Sequence, residues 1–393
     1  MVLSHGTCSQ KMVWRSHTVS TYIMWKHPVS GLISENSRSL NKTRGEKMKM
    51  RFCKYILIFI LFLTMLLPAQ EDTYRSKVSK RGTTAANFLE IGVGSRALSL
   101  GSAFTAVADD PSTIYWNAGG LAKLNRHGVL FNHTEWIADI KFDFMSASFN
   151  FGSYGTIGLS ITALTMNEME VTTIEEPEGN GQVFNASDFA VSLAYAYRIT
   201  DRFSIGTNMK VIRQNIWEMS STGFAADLGV HYVTPFEGLN LGMSITNFGT
   251  SMKLNGPNSM ILHDPDASTS GNNGRIPAKI DMNKWPLPLN FRIGLSYQLF
   301  KSEFHKALVA FDAQHPNNNY ESVNVGAEYV FKNMLALRGG YKSLFLDDAE
   351  ESLTLGAGLY YPILGNILLR FDFAYVDFGL FDNVFKYTVG IDF

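Results

Sequence analysis

Residues 366–377 read NILLRFDFAYVD, and along most of this segment large apolar residues stand at every second position. Such a period of two is typical of a β-strand with two different faces, since successive side chains of a strand point to opposite sides. One face of this segment is wholly apolar, and the other carries a cation and an anion. The apolar face consists of Ile367, Leu369, Phe371, Phe373 and Tyr375, and the opposite face includes Arg370, Asp372 and Ala374.

The same alternation recurs from residue 128 to the end of the chain. Most of the alternating segments have nine to twelve residues, which is close to the roughly 9–11 residues that a tilted strand needs to cross a bilayer. Strands of water-soluble proteins usually have about five or six. We predict fourteen strands, at 128–136, 142–151, 155–165, 187–198, 203–214, 223–234, 239–248, 289–300, 304–314, 320–331, 334–342, 352–361, 366–377 and 383–393.

The lengths of the connections predict how these strands are arranged. Connections after even-numbered strands are all short, whereas those after odd-numbered strands include the long segments 166–186 and 249–288. Short turns on the periplasmic side and long loops outside are typical of bacterial outer-membrane barrels, which also have an even number of strands. We therefore predict an all-β fold, a fourteen-stranded antiparallel transmembrane β-barrel over residues 128–393.

Composition excludes several other classes. With 34 basic and 35 acidic residues the chain is neither a strongly charged disordered protein nor a basic nucleic-acid binder. Its longest nearly unbroken apolar run, residues 56–67, is too short for a membrane-spanning helix, which needs about 20 residues.

That apolar run follows a basic patch and precedes Ala69, which is the pattern of a cleaved secretory signal peptide over 48–69. We interpret residues 1–47 as an extension upstream of the natural start. The first 69 residues hold ten of the Lys and Arg residues, two of the Asp and Glu residues and both cysteines, so residues 70–393 carry a net charge of −9 and no cysteine. The expected location is the bacterial outer membrane.

Residues 71–127 do not alternate, and we predict that they form a periplasmic or luminal hatch with short helices. Residues 97–108 resemble a small apolar helix. A second short helix should follow Asp110 as N-cap, with Pro111 at its first position and Gly119-Gly120 at its end.

This segment carries a family resemblance. Residues 88–122, FLEIGVGSRALSLGSAFTAVADDPSTIYWNAGGLA, resemble the N-terminal block of the PorV/PorQ outer-membrane proteins, a family similar to the FadL-like transporters. Ala118 departs from the pattern, because the family usually has proline there. The resemblance implies a fourteen-stranded barrel with an N-terminal hatch. Its motif residues are Gly94, Arg96, Gly101, Asp109, Asp110, Pro111, Trp116, Asn117 and Gly119.

The polar faces of the strands predict a set of charges inside the barrel, because a basic side chain facing lipid at mid-bilayer costs roughly 2–4 kcal/mol. These charges could form a solute pathway, but we favour a neutralising salt-bridge network that holds the hatch. Its members are Lys210, Asp227, Arg292, Glu328, Arg338, Arg370 and Asp372. The scattered histidines and the lack of a nucleophile motif predict no enzyme, cofactor or metal site.

The last predicted strand points to a binding partner, because its apolar face ends in an aromatic residue at the C-terminus. Tyr387 and Phe393 resemble the signal that outer-membrane proteins present to the barrel-assembly machinery. Outer-membrane lipid is the other general partner, and nucleic acid is not expected.

Two functions then remain open. The PorV resemblance implies an accessory of outer-membrane protein secretion, which binds secreted cargo or other secretion proteins through its loops. The FadL-like resemblance implies a channel for uptake of hydrophobic small molecules.

Overall fold

The computed structural model describes residues 80–266, 268, 275–346, 349–363, 367–381 and 383–393. The predicted extension 1–47 and signal peptide 48–69 lie outside the described residues. From Gly128 onward the described chain forms one closed antiparallel barrel, in which each strand pairs with its neighbours along the chain and the last pairs with the first. The prediction of fourteen antiparallel strands is therefore confirmed.

The strands are labelled β1 to β14 in chain order, and closure is made by seven residue pairs between β1 and β14, from Gly128↔Asp392 to Thr134↔Lys386. The bounds are β1 Gly128–Glu135, β2 Lys141–Asn150, β3 Thr156–Thr165, β4 Ala186–Thr200, β5 Phe203–Ile216, β6 Met219–Val233, β7 Leu239–Gly249, β8 Asn290–Lys301, β9 His305–Pro316, β10 Ser322–Phe331, β11 Leu335–Leu344, β12 Leu353–Pro362, β13 Leu368–Val376 and β14 Val384–Asp392.

The two ends of the barrel differ. At one end, called the turn end, lie Gly128, Asp392 and the short connections between even and odd strands, such as 201–202 and 332–334. The other end, called the loop end, carries the long connections 166–185 and 250–289. Each contains a small hairpin, Met169–Glu170 with Val183–Phe184 and Met260–His263 with Ile276–Lys279.

Alternation sorts the side chains as the sequence predicts. Outward residues are large, apolar and exposed on every side of the barrel, for example Leu193 on β4, Phe311 on β9 and Phe371 on β13. Inward residues are small, polar or charged, for example Ser160, Asn208 and Asp312. A barrel exposes this much apolar surface only where water does not surround it.

Residues 80–127, called the hatch, run through the lumen from one end to the other. Near the loop end, the amide of Ala85 donates to the carbonyl oxygen of Pro286 (2.9 Å). Near the turn end, the guanidinium of Arg198 on β4 donates to the carbonyl oxygen of Ala122 (2.8 Å). The hatch contains helices α1 (Ser95–Ser99) and α2 (Thr113–Trp116), with 3₁₀ turns at Asn87–Glu90 and Ala118–Lys123. Further 3₁₀ turns lie outside it, at Ile137–Asp139, Gly152–Tyr154 and Pro257–Ser259. No helix among the described residues is long and apolar enough to cross a membrane.

Three predicted details of the hatch are wrong. The helix expected over 97–108 is only the five residues of α1, because Gly101 and Ser102 both adopt positive φ (64° and 66°) and end it. The second helix ends at Trp116 and not at Gly119-Gly120, because Asn117 is extended (φ −160°). The start of this helix also lies later than predicted, because α2 begins at Thr113 with Ser112 as its N-cap, and Pro111 is not in the helix. The Asp110 carboxylate instead accepts the amide of Ser112 in the preceding turn (2.8 Å).

Candidate functional site

Two aromatic side chains of the hatch pack against each other inside the barrel. Phe104 and Trp116 meet edge to face with ring centroids 6.3 Å apart, and both side chains are almost fully buried. The indole Nε1 of Trp116 donates to the carbonyl oxygen of Val93 (3.1 Å), which fixes the ring against the preceding segment of the hatch. Buried edge-to-face pairs stabilise a fold beyond their area alone. Phe104 and Trp116 are called the aromatic layer below.

An ionic cluster joins the hatch to the barrel wall next to this layer. Arg96 on α1 donates from Nε and Nη2 to the two carboxylate oxygens of Glu328 on β10 (2.8 and 2.9 Å). Arg338 on β11 donates to the same carboxylate (2.6 Å) and to Asp372 on β13 (2.7 Å). Burial opposes the charge on Arg96, but Asp109 and Glu328 together hold the pKa of its guanidinium well above the ordinary value. The cluster is therefore a set of charged, mutually neutralised groups.

The other predicted lumen charges lie beside this cluster or across the barrel from it. Arg370 on β13 donates to Asp392 (2.7 Å), and Asp110 of the hatch lies 3.9 Å from its guanidinium. Lys210 on β5 and Asp227 on β6 form a separate pair (2.8 Å). All seven predicted lumen charges are buried, and six of them have an ion-pair partner.

Arg292 on β8 is the exception among these seven. Its guanidinium lies over the rings of Tyr115 and Trp116, 5.7 and 5.1 Å from their centroids. Within the described part of the chain, its Nε and Nη1 have no hydrogen-bond partner, although the side chain is buried. Burial of a cation without a carboxylate partner is costly.

Arg292 lines a cavity of about 230 Å³ at the loop end, called the loop-end cavity. Trp116, Ser102 and Glu90 are among the hatch residues in its wall, and burial raises the pKa of the Glu90 carboxyl. The remaining lining is mostly charged or hydrogen-bonding. It includes Arg81, Asn290, Gln314, Asn319, Ser322, Lys342, Glu350 and Glu351.

A second cavity of about 410 Å³ lies at the turn end, called the turn-end cavity. Arg96, Glu328 and Arg370 line it on the side of the ionic cluster, and Lys301 and Lys306 line it near the turns. The guanidinium of Arg96 also lies 5.6 Å from the ring centroid of Phe104. One side of the aromatic layer therefore contacts a residue of the turn-end cavity, and Trp116 on the other side lines the loop-end cavity.

Lys123 holds the part of the hatch nearest the turn end. Its Nζ donates to the carbonyl oxygen of Val107 (2.7 Å) and lies 3.1 Å from Nε2 of His231 on β6. Burial lowers the pKa of this ammonium to about 8, and the attraction of Asp109 offsets this only in part.

The family motif residues form the internal scaffold of the hatch. Asn117 donates to the carbonyl oxygens of Thr105 (2.8 Å) and Val230 (2.9 Å) and so ties two hatch segments to β6. Gly94 precedes α1 with φ 79°, and Gly101 packs on the backbones of β10 and β11. Of the remaining motif members, Asp109 pairs with Arg96 (2.6 Å). Pro111 is buried, and Gly119 lies against the backbone of Gly229 and Val230 on β6.

The proposed terminal signal residues lie on the outside of the barrel. Tyr387 faces outward from β14, and Phe393 exchanges two backbone hydrogen bonds with His127 (3.0 and 2.9 Å).

Three residues of the loop-end cavity could not be identified as site residues from the sequence. Ser102 and Glu90 belong to the non-periodic hatch, and Asn290 is one of many polar residues on inward faces. Only the cavity itself brings them together with Arg292.

The sequence profile of the uncharacterised protein family UPF0164 matches residues 67–298, which is more than half of the chain. The chain belongs to UPF0164. That match covers the hatch and the first strands of this UPF0164 protein but does not identify it as a PorV or PorQ protein. No curated protein matches it in sequence.

Solved structures resemble this UPF0164 protein weakly. The CymD monoaromatic hydrocarbon channel has a TM-score of 0.48 and 12% identity, over 77% of this chain and 97% of the other. A Pseudomonas aeruginosa FadL homologue has a TM-score of 0.47 and 10% identity, over 76% and 96%. The Ralstonia pickettii toluene transporter TbuX has a TM-score of 0.45 and 14% identity, over 77% and 97%.

Proposed function

We propose that this protein is an outer-membrane channel whose lumen is closed by its own hatch and opened by movement of that hatch. The observation that carries the proposal is the arrangement of the two cavities. They lie at opposite ends of the lumen, and the aromatic layer between them contacts residues that line each one.

The membrane location rests on the outer surface. Outward residues are apolar on all sides of the barrel, and charges such as Arg338 and Asp372 face inward. A lipid bilayer favours this distribution, because each basic side chain moved to the lipid face costs roughly 2–4 kcal/mol at the midplane. The loop end then faces outside and the turn end the periplasm.

The solute of this channel is small and polar. Most residues that line the two cavities are charged or hydrogen-bonding, and apolar side chains such as Leu308 and Leu346 are a minority; the loop-end cavity is the more polar of the two. The FadL-like resemblance implies a hydrophobic solute instead. Such a solute would find few apolar contacts in these cavities, and the free-energy cost of placing it there grows with its apolar area.

A reversible disulfide tests the movement of the hatch. Residues 70–393 contain no cysteine, so engineered pairs react without interference. Ser95 of the hatch and Thr388 of β14 face each other with hydroxyl oxygens 2.8 Å apart, and the pair S95C/T388C would fix the hatch to the wall. Ser160 and Ser192 lie 2.7 Å apart on β3 and β4. S160C/S192C is therefore the matched control, which joins wall to wall.

Liposome swelling with small polar solutes gives the readout. We expect the oxidised S95C/T388C protein to slow swelling to the rate of empty liposomes and dithiothreitol to restore it, while oxidation leaves the control unchanged. Equal swelling rates with the hatch fixed and free would contradict opening by hatch movement. No swelling above empty liposomes under either condition would contradict a channel altogether.

A second candidate function, a partner platform of protein secretion as the PorV resemblance implies, is favoured by one feature. The hairpin Met260–His263 with Ile276–Lys279 exposes Met260, Leu262 and Ile276 at the loop end. Replacing these three by serine should impair export of cargo and leave swelling unchanged. Unaltered surface and secreted proteins in cells carrying this variant would end the platform hypothesis.

A further inference from the structure

The loop-end cavity contains three buried polar side chains that lack partners. Arg292, Asn290 and Ser102 are 7%, 6% and 3% exposed, and all three line the cavity. Among the described residues, no hydrogen-bond partner is present for Nε and Nη1 of Arg292, Oδ1 of Asn290 or Oγ of Ser102. Buried polar groups in folded proteins are nearly always hydrogen-bonded, so three such groups around one cavity need an explanation.

Some of the charged side chains around the cavity have a close partner of opposite charge, and Arg292 does not. Arg81 is paired with Glu350 (3.1 Å), and Lys342 is paired with Glu351 (2.6 Å). Glu90 accepts a hydrogen bond from Asn318 (2.8 Å). Among the described residues, Arg292 has no carboxylate oxygen within ion-pair distance. Glu90 and Asp312 act on it electrostatically from farther away, and the rings of the hatch lie over one face of its guanidinium. The cavity therefore offers one cation that an outside anion could neutralise.

We infer that the loop-end cavity is a binding site for a small polyhydroxylated monocarboxylate, of the kind formed when a sugar is oxidised to its acid. The carboxylate would pair with Arg292. The hydroxyls would bond with the neutral side chains of the wall, which include Ser102, Asn290 and Gln314. This inference rests on the proposed function, since it identifies the solute class that the channel admits.

The site selects against other ligand classes on physical grounds. A multiply charged anion such as phosphate meets Glu90, Glu350 and Glu351 in the same small space, and like charges at short range repel. A neutral sugar satisfies the hydrogen-bonding groups but leaves Arg292 buried without a counter-ion. A hydrophobic molecule leaves all three unpartnered groups without a bond.

Binding of gluconate to the purified full chain in detergent tests the inference. We expect saturable binding by calorimetry, accompanied by a change in the fluorescence of Trp116, which lines the cavity. Glucose should bind about 10-fold or more weakly, because a hydrogen bond to a charged group contributes more than a neutral one. Inorganic phosphate should not compete.

Two substitutions at the site and one control separate recognition from folding. R292Q should weaken gluconate binding about 10-fold or more and leave glucose binding unchanged. E90Q should strengthen gluconate binding, because it removes a nearby negative charge. R213Q on β5 is the control, because Arg213 is exposed and its Nε donates to Asn215.

The outcomes keep this inference apart from the proposed function. Equal affinity for gluconate and glucose, or no loss in a folded R292Q protein, would overturn the inference. If swelling with neutral solutes still depends on the S95C/T388C lock in that case, the gated channel stands. If swelling fails but gluconate binds through Arg292, the site stands and the channel does not.

Discussion

Loss of Arg96 should release the hatch from the barrel wall. Arg96 belongs to α1 of the hatch, and Glu328 belongs to β10, so their two hydrogen bonds of 2.8 and 2.9 Å cross between the two parts. The side chains are 13% and 6% exposed, so water screens the pair little. Replacement by methionine keeps the aliphatic length of the side chain and removes its charge.

The size of the effect follows from what remains around Glu328. Breaking a buried ion pair costs about 3–5 kcal/mol when the surviving charge is left alone. Glu328 is not left alone, because Arg338 still donates to it at 2.6 Å. We therefore expect the lower end of that range, about 3 kcal/mol, for the free energy of hatch opening.

Amide hydrogen exchange measures this opening directly. The amides of Leu98 and Ser102 are bonded within the hatch, to the carbonyl oxygens of Gly94 and Ala97 (both 3.1 Å). At about 1.4 kcal/mol per factor of ten, R96M should speed their exchange about 100-fold. The backbone amides that pair β4 with β5 should exchange as before.

Arg198 provides the matched comparison. It also donates from the wall to the hatch, but to a neutral carbonyl oxygen, that of Ala122. R198M should therefore cost about 1 kcal/mol, or about five-fold in exchange. If R96M speeds exchange no more than R198M does, the ionic cluster does not hold the hatch and the reasoning from burial and charge is wrong.

Three further predictions concern contacts between hatch and wall. G340A should loosen the hatch by about 1–3 kcal/mol, because the added methyl group would overlap the backbone nitrogen of Gly101. The neighbouring G339A is the control and should not loosen it, because its methyl group meets only Leu355, at 3.7 Å. Amide exchange at Ser102 measures both effects. D312N should weaken the attachment of the hatch to the wall by about 1.5–3 kcal/mol. Oδ2 of Asp312 accepts hydrogen bonds from two hatch amides (3.0 and 2.9 Å), and the neutral side chain of asparagine accepts them less strongly. Faster liposome swelling would reveal the loosened hatch as a leak. The pKa of Lys123 is about 8 in the folded protein and 10.5 ordinarily, so the unfolded chain binds the proton more tightly. The free energy of unfolding should therefore rise between these two pH values, by up to about 3 kcal/mol. K123M should reduce that rise in unfolding experiments, and a rise of unchanged size in K123M would assign it to other groups.

The barrel could be predicted from the sequence because its rules are local. A strand with lipid on one side and a lumen on the other must alternate, and Phe371 with Asp372 shows this in two neighbouring residues. Strand boundaries are encoded less sharply where neighbouring residues do not differ in polarity. β6 begins at Met219, four residues before its predicted start, since Ser220, Ser221 and Thr222 are all small and polar yet pair with β5.

The hatch could not be predicted in the same way because the wall determines its conformation. The apolar run 97–108 satisfies the pattern of a helix, but its backbone turns at Gly101 to pack on β10 and β11. Such a contact joins residues more than two hundred positions apart, and no local pattern encodes it. The burial of lumen charges was predictable from alternation, whereas the lack of a partner for Arg292 was not.

A glycine in the wall explains how the ionic cluster spans three strands. Arg338 on β11 and Asp372 on β13 are separated by β12, where Gly358 faces the lumen between them. A methyl group at this position would overlap the Asp372 carboxylate and approach the Arg338 guanidinium. Without it, the two side chains meet at 2.7 Å across the intervening strand. Arg338 also binds Glu328, which binds Arg96. The small residue at position 358 therefore allows one continuous series of ion pairs from β13 to the hatch. Movement of the hatch away from this wall must break the bonds of Arg96, where the series reaches the hatch.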